Sequence, residues 1–178
     1  MELPMNIFLV GPMGVGKTSV GRQLAKLLGK RFFDSDREIE LHAGASISLL
    51  FELEGEAGFR LREQSAIDEI TRRKGVVLAT GGGAVLGKEN RAHLIKRGFV
   101  VYLHAPVARL EQRTFGDQSR PLLQTSDPRG RLERIVKKRA PFYRQVADVI
   151  VSGDRKSPRH VANHILRRIE DMPNSSKR

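Results

Sequence analysis

Cysteine and tryptophan are both missing from this chain, and tyrosine occurs only twice. Without cysteine, disulfides and thiolate metal sites are excluded, which suits a reducing cytoplasm. No aromatic is interleaved with the basic clusters Arg72-Arg73-Lys74, Lys137-Lys138-Arg139, Arg167-Arg168 and Lys177-Arg178. They therefore lack the stacking platform of a single-strand nucleic-acid binder. No apolar run approaches the roughly 20 residues that a membrane-spanning helix needs. The opening Met1-Glu2-Leu3-Pro4-Met5-Asn6 has no basic n-region and leads straight into a glycine loop, so it reads as the approach to a first strand and not as a signal peptide. The expectation is a cytoplasmic monomer acting on small molecules, with neither nucleic acid nor membrane as partner.

What is present fits one globular unit. A chain of 178 residues can bury one real core but not two. Apolar residues make up 39% and charged ones 29%, which is ordinary for such a unit. The formal charge of +12 comes from scattered cations. It is read as a solvated surface with a few arginines aimed at phosphate and carboxylate.

Along the chain, strands alternate with helices. An apolar strand over Asn6 to Val10 meets a glycine loop, and a helix follows with Val20, Leu24, Leu27 and Leu28 on one face. Arg31 to Asp34 reads as a second strand. Two helical stretches are expected around Ile47 to Leu53 and Phe59 to Arg73, separated by the turn Gly55-Glu56-Ala57-Gly58. Val76 to Thr80 is a wholly apolar strand of the kind buried on both faces. A helix near Lys88 to Arg97, a strand over Phe99 to Leu103 and a helix entered at Pro106 come next. The segment from Thr114 to Asp127 has little apolar pattern and reads as a mobile lid. Ser126 or Asp127 caps the next helix, which shows Leu132, Ile135 and Val136 on one face and ends at Arg139 before Ala140-Pro141-Phe142-Tyr143. A strand at Val149 to Val151 precedes Ser157-Pro158 and a last helix. Five strands among helices argue for an α/β fold with a parallel sheet covered on both faces. The expected unit is a single domain over residues 1–171, with the acceptor-binding region near 35–62, the lid near 114–127, and a polar, flexible tail at 172–178.

Gly11-Pro12-Met13-Gly14-Val15-Gly16-Lys17-Thr18 matches G-x-x-x-x-G-K-[ST] in full, between an apolar strand and an amphipathic helix. Glycines let successive backbone N–H groups turn onto phosphate oxygens, and the helix N-terminus adds positive potential. Lys17 then reaches the β- and γ-phosphates, Thr18 binds Mg²⁺, and Ser19 can add a hydrogen bond. This motif points to a nucleoside triphosphate and is silent about the acceptor.

A second acid is needed near the metal, yet the strand ending at Thr80 runs into Gly81-Gly82-Gly83 with no carboxylate. The second strand ends in Asp34-Ser35-Asp36. Two aspartates spaced by two in an extended segment point to one side, so one can serve the metal and the other an attacking hydroxyl. The alternative is an Asx-rich turn with Asp36 capping a helix. An arginine pair is the natural device for a planar carboxylate, and Arg60 after an acidic turn and Arg139 before Ala140 are candidates, although each alone also reads as a surface cation. Gly82 lies in a run that lets a ligand approach bare backbone. Arg120, in Arg120-Pro121-Leu122-Leu123, is placed to close over a transferring phosphate. His160 and His164 share a helix face, but no third ligand is evident, so no metal beyond Mg²⁺ is assigned.

The stretches NIFLVGPMGVGKT, FDSD, LEGEAGFR, VVLATGGG and RPLL, with Arg139-Ala140-Pro141-Phe142-Tyr143 before the last strand, occur here in one order. In that order the chain resembles the shikimate kinases of the nucleoside monophosphate kinase superfamily, from Asn6 to about Ile169. The resemblance implies a three-layer P-loop kinase fold with strand order 2-3-1-4-5. It also implies transfer of the γ-phosphoryl of ATP to the 3-hydroxyl of shikimate, in the chorismate pathway of aromatic amino-acid synthesis. By the same resemblance Gly14, Val15, Gly16, Lys17, Thr18 and Ser19 bind ATP, and Thr18 and Asp34 serve Mg²⁺. Asp36, Arg60, Gly82 and Arg139 form the shikimate site. Lys17, Asp36 and Arg120 carry catalysis, with Arg120 in the lid over ATP, and Arg113 and Arg155 fall on the adenine side. The competing readings are another small-molecule P-loop kinase, acting on gluconate or a nucleotide, and a regulatory ATP-binding or basic nucleic-acid-binding module.

Overall fold

A computed structural model describes residues 3–154 and 157–173. Five parallel strands form one sheet, β1 (Ile7–Val10), β2 (Arg31–Asp34), β3 (Val76–Ala79), β4 (Phe99–His104) and β5 (Val149–Ser152), in the order β2-β3-β1-β4-β5. The three inner strands are the apolar ones. Every residue of β1 and β3 is buried, whereas the edge strands β2 and β5 are only partly covered. Parallel strands need crossovers, and the helices supplying them cover both faces.

One face packs on α1 (Lys17–Leu28) and α7 (Pro158–Glu170), where Val20, Leu24, Val161 and Ile165 meet the sheet residues Ile7, Leu9 and Val101. The other packs on α3 (Ile47–Thr71), α4 (Lys88–Arg97) and α6 (Pro128–Val146), through Ile67, Ile70, Leu94, Tyr143 and Val146. Between them run α2 (Ser35–Ala43) and α5 (Val107–Thr114). Among the described residues no helix is long and apolar enough to cross a membrane.

Three local features depart from the sequence reading. The chain does not stay extended after β2. Asp34 accepts hydrogen bonds at its Oδ1 from the backbone N–H groups of Asp36 and Arg37, at 3.0 and 3.2 Å, and so caps α2. The cap is thus Asp34 rather than Asp36, and it satisfies donors that a helix start leaves orphaned. Next, the two expected helices after residue 47 are one helical run bent at Gly55, whose φ of 69° and ψ of −179° only glycine takes easily. Finally, α6 does not end at Arg139. It continues through Pro141 to Val146, because losing one N–H costs less than giving up the burial of Tyr143 and Val146. The segment 114–127 holds a short 3₁₀ turn at Pro121–Leu123 whose Leu123 joins the core beneath α1 and α7.

Candidate active site

The carboxyl ends of the strands carry the loops that face outward, and the candidate residues gather there, as in other open α/β sheets. The loop after β1 takes its shape from three glycines with positive φ, Gly11 (147°), Gly14 (80°) and Gly16 (99°). A Cβ on Gly11 would collide with the carbonyl of Leu103. No side chain caps the N-terminus of α1, so its first N–H groups face the loop's concavity and supply the anion site expected of this motif.

That concavity is a cavity of about 560 Å³ lined by Gly14, Gly16, Lys17, Thr18, Ser19, Asp34, Asp36, Gly82, Arg113 and Arg120, among others. It holds nearly every residue expected for triphosphate handling. Arg113 braces the loop from behind, its Nη1 donating to the carbonyls of Gly14 and Val15 at 3.3 and 3.2 Å. Lys17 is 7% exposed, and its ammonium donates to the carbonyls of Gly11 and Pro12 at 2.6 and 2.8 Å. Burial lowers Lys17 to about 7, helped by repulsion from Arg120 and Arg139 and opposed by Asp36 and Asp34. The Thr18 hydroxyl donates to Asp34 Oδ2 at 2.6 Å. Hard oxygen donors so paired fit a small divalent cation that takes most of its ligands from phosphate and water. Arg155 lies outside the described residues.

Beside this cavity a smaller one, about 80 Å³, is lined by Met13, Asp36, Ile47, Phe51, Phe59, Arg60, Glu63, Gly81, Gly82, Gly83, Ser119, Arg120, Pro121, Leu122 and Arg139. Asp36, Gly82 and Arg120 line both, so the two spaces meet along them. The mixture of aromatic walls, three arginines and two carboxylates suits a small, carboxylated, hydroxylated molecule. Asp36 is half-buried as a residue, but its Oδ1 is sealed from solvent and has no hydrogen-bond partner among the described residues. Burial raises its carboxyl to about 7, with the charges of Glu63 and Asp34 adding and those of Lys17 and Arg120 opposing.

The family profile described as Shikimate kinase matches residues 13–170. The chain belongs to the shikimate kinase family. A shikimate kinase of Nitrosococcus oceani is 54% identical over 167 residues, covering 94% of this chain and 88% of the relative. One of Halorhodospira halophila is 54% identical over 170 residues, covering 96% of each. The solved structure of "Shikimate kinase from Acinetobacter baumannii in complex with shikimate" superposes with a TM-score of 0.92 at 52% identity, over 94% of this chain and 93% of that one. Fold and family membership therefore agree with the resemblance read from the motifs.

Two residues beside these cavities escaped the sequence reading. Glu63 is 1% exposed and takes Arg60 Nη1 at 2.8 Å, while Glu56 takes Arg60 Nη2 at 3.1 Å. The i,i+3 and i,i+4 spacing of these glutamates to Arg60 is visible in the chain, but it is also the spacing of any solvated helix pair. Tyr143 is 1% exposed, and its hydroxyl donates to the carbonyl of Gly82. Nothing in its local pattern separates it from an ordinary core aromatic.

Proposed function

We propose that this chain transfers the γ-phosphoryl of ATP to the 3-hydroxyl of shikimate, giving shikimate 3-phosphate and ADP in the chorismate pathway. The observation carrying this reading is Arg139. It is 4% exposed and has no ion pair among the described residues, yet it lines a small cavity together with Arg60 and Asp36. Burying a guanidinium without a carboxylate is costly. An acceptor that brings its own planar carboxylate supplies the partner, gripped bidentately. Gluconate-type or nucleotide acceptors remain the alternative against which this reading is tested.

In this assignment the loop from Gly14 to Ser19 holds the triphosphate, and Lys17 stands against the charge that moves during transfer. Arg113 lies on the nucleotide side, and Arg155 is assigned there by resemblance alone. Thr18 and Asp34 would hold Mg²⁺, which neutralises phosphate charge when bound. Asp36 orients the attacking hydroxyl and takes its proton; Arg60, Gly82 and Arg139 hold the acceptor. Arg120 lines both cavities and belongs to the segment 114–127 read as a lid, where it covers the transferring group. Glu63 holds Arg60 toward the cavity.

Steady-state ADP release with shikimate, gluconate and AMP in parallel tests the reading. Turnover with shikimate alone is expected. Turnover with gluconate or AMP and none with shikimate overturns it.

A further inference from the structure

The two tyrosines of the chain lie together in the core. Tyr143 on α6 stacks on Tyr102 of β4, with centroids 5.1 Å apart. Only Tyr143 is tied to the acceptor side. Its hydroxyl donates to the carbonyl of Gly82, and Arg139, one turn earlier on α6, sets its guanidinium beside that same glycine. Gly82 and Arg139 belong to different elements, the loop after β3 and the middle of α6. Each is loose by nature. A run of three glycines has the freest of backbones, and an arginine side chain has many rotamers to lose. A buried phenol is a short, stiff arm whose ring is fixed by packing. Because the peptide is planar and trans, fixing the Gly82 carbonyl also fixes the direction of the Gly83 N–H on its far edge.

We propose that Tyr143 is a positioning residue for the acceptor site: its hydroxyl, donating to Gly82 beside the Arg139 guanidinium, holds glycine loop and helix α6 in the register that receives a carboxylated acceptor. The inference rests on the acceptor reading above.

Tyr143→Phe keeps the ring and its stacking and removes the hydroxyl alone. The KM for shikimate is expected to rise about tenfold, the cost of losing one buried hydrogen bond. The KM for ATP should change by less than about twofold. Adding Arg139→Lys should cost less than the sum of the two single changes, since they act as one unit. An unchanged KM for shikimate, equal rises in both KM values, or full additivity overturns the role. A second measurement does not depend on that variant folding. Tyr102→Phe leaves Tyr143 as the sole tyrosine, so fluorotyrosine incorporation labels it alone. Its ¹⁹F resonance should move with shikimate and stay with ADP; no movement with shikimate overturns the proposal. A parent enzyme inactive on shikimate sinks the functional reading itself, whereas an active parent with an unchanged variant sinks only this inference.

Discussion

Asp36 is kept in surroundings that disfavour its charge, which suits the proton-accepting role proposed for it. A carboxylate titrating near 7 takes a proton more readily than one titrating near 4. The same shift has a stability consequence of defined sign. Its folded-state pKa lies above the ordinary carboxylate value, so the contribution to stability is complete below about 4 and is lost as pH rises through about 7. Asp36→Asn is expected to abolish most turnover while leaving ATP binding near normal. At pH 8 it should also gain on the order of 1 kcal/mol, roughly 2–4 °C in Tm, and the gain should fade toward pH 4. Calorimetry at the two pH values checks this; an equal gain at both would mean the charge is not the cause. Glu63 adds to the upward shift of Asp36 through its charge. Glu63→Gln should therefore move the acid limb of the kcat/KM profile for shikimate to lower pH, whatever it does to the maximum through Arg60. A limb that stays in place or moves up would rule out that coupling. At this scale the sequence was informative where a motif fixes a place, as for Lys17 and Thr18, which line the cavity at the glycine loop. It was blind to Glu63 and Tyr143, whose meaning arises only from burial.

At the scale of elements, the segment 114–127 is held mostly by its own polar contacts. Asp117 takes the backbone N–H and hydroxyl of Ser119 and the Nε of Arg120, the last at 2.9 Å, while Leu123 is its anchor in the core. Such a segment opens at little cost and closes only if ligands contribute contacts. Hydrogen exchange over 114–127 is expected to slow when an ATP analogue and shikimate are both present. Unchanged exchange would remove the lid assignment. The segment 114–127 stood out as a gap in apolar periodicity, and α1, β2 and α4 were legible from periodicity and punctuation. The start of α2 was not, because Asp34-Ser35-Asp36 carries the signature of both a strand end and a cap. The continuation of α6 was hidden for the opposite reason: Pro141 signals a stop that burial of the following turn overrides.

For the molecule as a whole, five strands and their parallel sense followed from alternation of elements, but the order β2-β3-β1-β4-β5 did not. That order came from resemblance, since pairing between strands is a tertiary fact that local pattern does not carry. What pairs in the folded whole also decides where ligand energy goes. Shikimate near 100 times its Kd should stabilise the fold by about 2.7 kcal/mol, a Tm rise of roughly 5–10 °C for a chain of this length. Arg139→Met should erase that increment while leaving the ligand-free protein at least as stable as the parent. A scan with and without shikimate checks both; a ligand-free variant melting several degrees lower would show that Arg139 already has its counter-charge. If it does not, the fold is carrying a cation on behalf of another molecule. A descendant released from phosphorylating this acceptor would gain by exchanging the guanidinium for a hydrocarbon, and position 139 would be among the first to drift.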